Sequence, residues 1–218
     1  MNKEITTHQE TAEFELIQRQ AKLLASSTLV PKDFQGNMSN CAIALNIAKR
    51  LGADPFMVIQ NIDIIHGRPA FRATFLIAMV NASGRFTPLQ FSMTGDGATR
   101  GCFAHCKAKD NGEVIEGPEI TMSMAKAEGW STKSGSKWVT LPELMLRYRA
   151  AAFFARIYAP DITLGMHTSE ERQDMPSEPR FATGRVVNNA PSFILPTLAN
   201  EPAIDAETAE TETEEAAL

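Results

Sequence analysis

A chain of 218 residues, 44% hydrophobic and 22% charged, has the make-up of a soluble globular protein and is long enough for one well-cored domain. Its longest apolar run, Phe75 to Val80, falls far short of the roughly 20 residues that cross a bilayer, so no membrane association is expected. Three cysteines, with no apolar leader ahead of them, argue against a disulfide framework and for a reducing compartment. The net charge of −5 is unevenly spread: residues 176–218 hold 2 basic and 8 acidic residues, whereas residues 64–160 hold 12 and 7. A mildly basic centre suits a polyanion ligand, and the acidic end does not.

The first nine residues are polar and read as disordered. Residues 10–26 form an amphipathic helix, with Phe14, Ile17, Ala21 and Leu24 at helical spacing. Asn37 or Ser39 caps a second helix carrying Ala44, Leu45, Ala48 and Leu51, and Gly52 stops it. Asp54-Pro55 opens a third, short one. Residues 62–66 alternate weakly and end at Gly67-Arg68, a hairpin signal answered by Pro69-Ala70-Phe71. Residues 74–82 predict an apolar helix closed by Ser83-Gly84. Residues 86–93 and 100–109 predict strands around Gly95-Asp96-Gly97, and residues 114–120 a further strand after Asp110-Asn111-Gly112. A short helix at 121–128 ends at Gly129. The loop 130–138 leads through Leu141-Pro142 into a nearly all-apolar helix stopped by Pro160, and Thr168-Ser169-Glu170-Glu171 opens a last short helix with a capping box. These elements give an α+β class: a compact domain over residues 10–175 with a small antiparallel sheet and a hairpin packed by helices. A Pro-rich acidic tail, residues 176–218, cannot bury enough apolar area to order itself; only Ser192-Phe193-Ile194-Leu195 interrupts it.

The helix before Pro160 carries the strongest functional signal. Arg147, Arg149 and Arg156 stand on an otherwise apolar helix with no acid after Glu143. Buried arginines are costly unless an anion receives them. At 100° per residue, Arg149 and Arg156 share a face between two apolar stripes, and Arg147 points elsewhere. The receiver is either a structural carboxylate, such as Asp161 or Glu143, or a ligand phosphate. The hairpin offers Arg68 at its tip and Arg72 just beyond, beside Phe71, a candidate to stack on a base together with the indoles of Trp130 and Trp138. The loop 130–138 offers Lys133 and Lys137 between Trp130 and Trp138: cations for phosphates, and indoles that either stack on bases or pack inward. Lys126, on the helix before that loop, completes the cationic set.

Other patterns point away from chemistry. Cys102 and Cys106 share a strand face about 13 Å apart, and His105 points the other way, which suits buried cysteines and not zinc. No phosphate-binding GxxxxGK[ST], GxSxG or HExxH pattern occurs. No enzyme activity, metal or cofactor is therefore expected.

Residues 51–86, LGADPFMVIQNIDIIHGRPAFRATFLIAMVNASGRF, and 129–165, GWSTKSGSKWVTLPELMLRYRAAAFFARIYAPDITLG, resemble the phage RecT family of single-strand annealing recombinases. Leu51-Gly52, Asp54-Pro55, the strand pair about Gly67-Arg68 and the helix over 145–160 carry the likeness, which spans roughly residues 35–172. The resemblance implies a protein that binds single-stranded DNA and the annealed duplex, pairs complementary strands without ATP, and assembles into rings or helical filaments. It implies a place in the bacterial host cytoplasm, beside a phage exonuclease and the host single-strand-binding protein. It would set Arg68, Arg72, Lys133, Lys137 and the helix arginines along one groove. The chain departs from the family at its end, where several members have a folded partner-binding domain and this sequence has the acidic tail. Two other readings stay open: a metal-dependent DNA enzyme using some of Asp54, Asp63 and Asp96, and a phage structural protein.

Overall fold

The computed structural model describes residues 2–175, with side chains from residue 11 onward. The expected acidic tail and its Ser192–Leu195 island lie outside the described residues. Two apolar clusters organise what is described, and they meet at one short helix.

The first cluster is mostly helical. Helix α1 (Asn2–Ala25) begins at Asn2, not at residue 10, so the segment expected to be disordered has helical backbone. It lays Ala21 and Leu24 against Cys41, Ala44, Leu45 and Ala48 of α2 (Met38–Leu51). The Asn37 side chain accepts from the Asn40 amide to start α2, and Gly52, at φ 61°, ends it in the left-handed region where a Cβ would be strained. A 3₁₀ turn (Lys32–Phe34), absent from the sequence reading, places Phe34 in this cluster. Asp54 caps α3 (Pro55–Gln60) by accepting from the Met57 amide, with Pro55 at the first helical position. Strands β1 (Ile62–Ile65) and β2 (Arg68–Phe71) pair antiparallel. Both turn residues, His66 and Gly67, have positive φ (54° and 76°), the twist that a two-residue hairpin favours. The tip is therefore His66-Gly67. Arg68 is the first residue of β2, opposite Ile65, and not the tip residue expected.

Helix α4 (Ala73–Ala82) is the seam. Phe75 belongs to the first cluster, against Phe71 with ring centroids 5.6 Å apart. Leu76 and Val80 belong to the second, and Met79 packs on both.

The second cluster lies between a sheet and a helix. Strands β3 (Gln90–Thr94), β5 (Val114–Glu116) and β6 (Ile120–Thr121) all pair antiparallel with β4 (Gly101–Lys107). Two strand expectations needed correction, both through proline, which cannot donate to a ladder. The first strand starts after Pro88, leaving Phe86 as an isolated bridge to Ala108. The third breaks at Gly117-Pro118 into β5 and β6. Gly117 also lies against Phe154, where an added Cβ would come within 3.2 Å of the ring. β4 alternates as a half-covered strand should, burying Cys102, Ala104 and Cys106. Over these sits α7 (Pro142–Tyr158), whose Leu146, Ala150, Ala151, Phe154 and Ala155 are fully or almost fully buried. Short helices α6 (Lys137–Thr140), α8 (Pro160–Thr163) and α9 (Ser169–Asp174) pack on α7, and α5 (Met122–Ala127) lies against β6 and the turn before β4; α6 and α8 were not anticipated. The fold is thus α+β, helices on small antiparallel sheets. Among the described residues no helix is long and apolar enough to cross a membrane.

Candidate nucleic-acid interface

Helix α7 starts at Pro142, preorganised for a first helical position, and its alanine-rich middle lets neighbours approach closely. That closeness decides the fate of its arginines. Arg149 does not reach a surface edge. It is 5% exposed, its guanidinium stacks 3.8 Å from the centre of the Trp130 ring, and it forms an ion pair with Asp174 of α9. The Trp138 indole N–H donates to the same Asp174 oxygen at 2.8 Å, and the two indoles lie 5.2 Å apart. A planar cation sandwiched on an indole and paired with a carboxylate is a strong buried arrangement, which a lysine could not reproduce. Of the two acids proposed as structural partners, Glu143 does take a helix arginine, Arg147 at 3.9 Å, and also Arg100 at 3.6 Å, whereas Asp161 takes Arg85 at 3.1 Å. The structural reading of Arg149 is the one observed, with a carboxylate that sequence reasoning did not name.

The same short helix receives the other cations of this side. Arg156 pairs with Glu171, which is 2% exposed and also accepts the Thr168 amide at 2.9 Å in the expected capping box. Lys133 donates to the backbone carbonyls of Gln173 and Asp174 at the end of α9. Lys137 is exposed and acts electrostatically on Glu170, which in turn accepts the Ala73 amide at 3.1 Å. Ser136 caps α6 and anchors the loop by donating to the Trp130 carbonyl at 2.7 Å. Burial pushes the Asp174 and Glu170 carboxyls up, with Trp138 and Arg149 opposing it at Asp174.

At the hairpin, Arg72 is exposed but engaged, forming a two-point contact with Asp63 (3.1 and 3.3 Å), to which Ser169 also donates at 2.8 Å. Burial raises the Asp63 carboxyl, and Arg72 and Ser169 together outweigh it, holding it below the usual range. Arg68 is exposed on β2. Of the three proposed base-stacking rings, two are corrected. Phe71 and Trp138 are each 1% exposed and packed in the interior, so neither presents a face to a base in this conformation. Trp130 is partly exposed, with one face on Arg149.

A second cationic group lies on the other side of α7. Met122 at the start of α5 donates to the Arg100 carbonyl, joining α5 to the turn before β4. Arg100 and Arg147 converge on the single carboxylate of Glu143, and Lys126 stands exposed on α5 without an ion-pair partner among the described residues. Arg100 was missed, because it sits at a strand start and belongs to no basic run. Cys102 lies under this face, buried, its thiol pushed up to about 11 by desolvation, which makes it inert packing. Among the described residues no three metal-binding side chains come together. Compared with known proteins, the chain matches no family model, no curated protein and no solved structure.

Proposed function

We propose that the chain binds single-stranded DNA through its backbone and anneals complementary strands without ATP, as an oligomer of the RecT kind. The observation that carries this reading is the pair Arg100 and Arg147, whose two guanidiniums share one carboxylate on an exposed face, with Lys126 exposed on the neighbouring helix α5. Guanidinium in excess of carboxylate is what phosphates seek, and annealing asks for little more: two strands held extended with their repulsion neutralised, while base pairing supplies the specificity. Lys137, Arg68 and Arg72 extend the cationic set. Exposed Phe14, Leu16, Leu23 and Ile43 on α1 and α2 support subunit contacts. On this reading the partners are single-stranded DNA, the annealed duplex, further copies of the chain, and the exonuclease and single-strand-binding protein of the same recombination process in the bacterial cytoplasm.

The test mixes two complementary oligonucleotides with the protein, without ATP, and follows duplex formation. The expected result is acceleration over the spontaneous rate, with binding that weakens linearly in log salt by about 0.7 per phosphate contact and shows little sequence preference. Magnesium-dependent degradation of the DNA would select an enzyme instead, and absence of binding at low salt would select a structural protein.

A further inference from the structure

The cations contributed by loop 130–138 and by the α9 side of α7 are answered by one element of six residues. Asp174 takes Arg149 and the Trp138 indole, Glu171 takes Arg156, and the last carbonyls of α9 take Lys133. Glu170 faces Lys137 electrostatically. A short row of anionic and carbonyl oxygens laid along cations and an indole is the pattern that a single strand itself presents to a binding groove. We propose that the C-terminal turn of α9, Gln173-Asp174, is a displaceable internal mimic of a phosphate backbone, a strap that occupies the Lys133–Trp130–Arg149 face until DNA takes its place. The proposal rests on the single-strand reading above and adds its regulation.

The two ends of α9 are held differently. Glu171 is locked by the Thr168 amide, the Thr168 hydroxyl and Arg156, and it is almost wholly buried. That end stays. At the last turn the Met175 amide donates to the Glu171 carbonyl at 3.1 Å, and Gln173 is exposed. Its contacts to Arg149, Trp138 and Lys133 are ones that a phosphate would duplicate. A cleft of about 190 Å³, lined by Lys133, Ser136, Lys137, Gln173 and Asp174, opens beside it. Exchange of carboxylate for phosphate never leaves Arg149 unpaired, so the penalty for stranding a buried charge does not arise. It also frees Lys133 for the strand. A strap closed most of the time lowers the apparent affinity by the fraction of molecules that are open.

The test is hydrogen exchange on the full chain, free and saturated with oligothymidylate at low salt, reading the amides of Arg172 and Met175. Loss of protection at Met175 on binding, with Arg172 kept, is the expected result. Asp174→Asn, which removes the charge and keeps an acceptor for Trp138, should bind oligothymidylate several-fold more tightly. DNA bound with Met175 as protected as in the free chain would overturn the strap and leave the single-strand reading standing, as would an unchanged affinity in a folded Asp174→Asn chain. If neither chain binds the oligonucleotide at low salt, the single-strand reading falls and the strap with it.

Discussion

The two sides of α7 carry the same kinds of residue and treat them in opposite ways. On the α9 side, Arg149, Arg156 and Lys133 are each met by an internal acceptor, and Arg149 is sealed between an indole and a carboxylate. On the α5 side, Arg100 and Arg147 share Glu143 over distances of 3.6 and 3.9 Å, with both side chains more than a third exposed. The same residue type is therefore a sealed building element at Arg149 and an exposed cation with half a carboxylate at Arg100 and Arg147. What decides between them is the supply of carboxylate: a dedicated helix on one side, one shared glutamate on the other.

Mutation should expose the difference. Arg149→Ala strands Asp174 in the interior and should cost about 3–5 kcal/mol of stability, read by chemical denaturation; a loss within experimental error would mean that the pair is open in solution. Arg149→Met with Asp174→Leu should recover most of that loss, because a buried pair adds little over well-packed apolar groups. Trp138→Phe keeps most of the ring volume and removes the donor to Asp174. A smaller loss of about 1–3 kcal/mol should follow, and none at all would show that water readily replaces the indole.

Acidity offers a gentler probe. His167, facing Glu171, Arg156, Arg172 and Arg149, has its pKa lowered below 6.5, first by burial. The unfolded chain then binds the proton more readily than the folded one, so this contribution to stability is complete above 6.5 and is lost as the pH falls from there through the lower value of the folded state. Melting temperature should drop between pH 7.5 and 5.5, and His167→Gln should flatten the curve over that range; parallel curves would remove His167 from the account. Smallest of all, Arg147→Ala and Lys126→Ala should move stability by no more than about 0.5 kcal/mol. Each should instead lower the salt slope of single-strand binding by about 0.7. A large stability loss at Arg147 would make the two sides of α7 alike.

Much of the backbone was legible because local chemistry dictated it. Asn37, Gly52, Asp54-Pro55, Pro142 and the Thr168 capping box each act through their own neighbours, and all perform as read. The cation partners were not legible. Asp174 meets Arg149 across 25 residues of chain, and only tertiary packing brings them together. A faint signal existed, since Glu170 and Asp174 stand four apart on a helix, a spacing that puts two acids on one face. Phe71 and Trp138 misled for the converse reason. An aromatic beside a cation reads the same in sequence whether the ring is a platform or a wall, and burial alone tells them apart.

Helix α4 has a consequence for how the molecule comes apart. Because Phe75 serves one apolar cluster, Leu76 and Val80 the other, and Met79 both, neither cluster can melt and leave α4 intact for its neighbour. The helix acts as a mechanical fuse shared by two circuits. Calorimetry should show one cooperative transition where two cores invite two, and Met79→Ala should be the lesion that begins to split it.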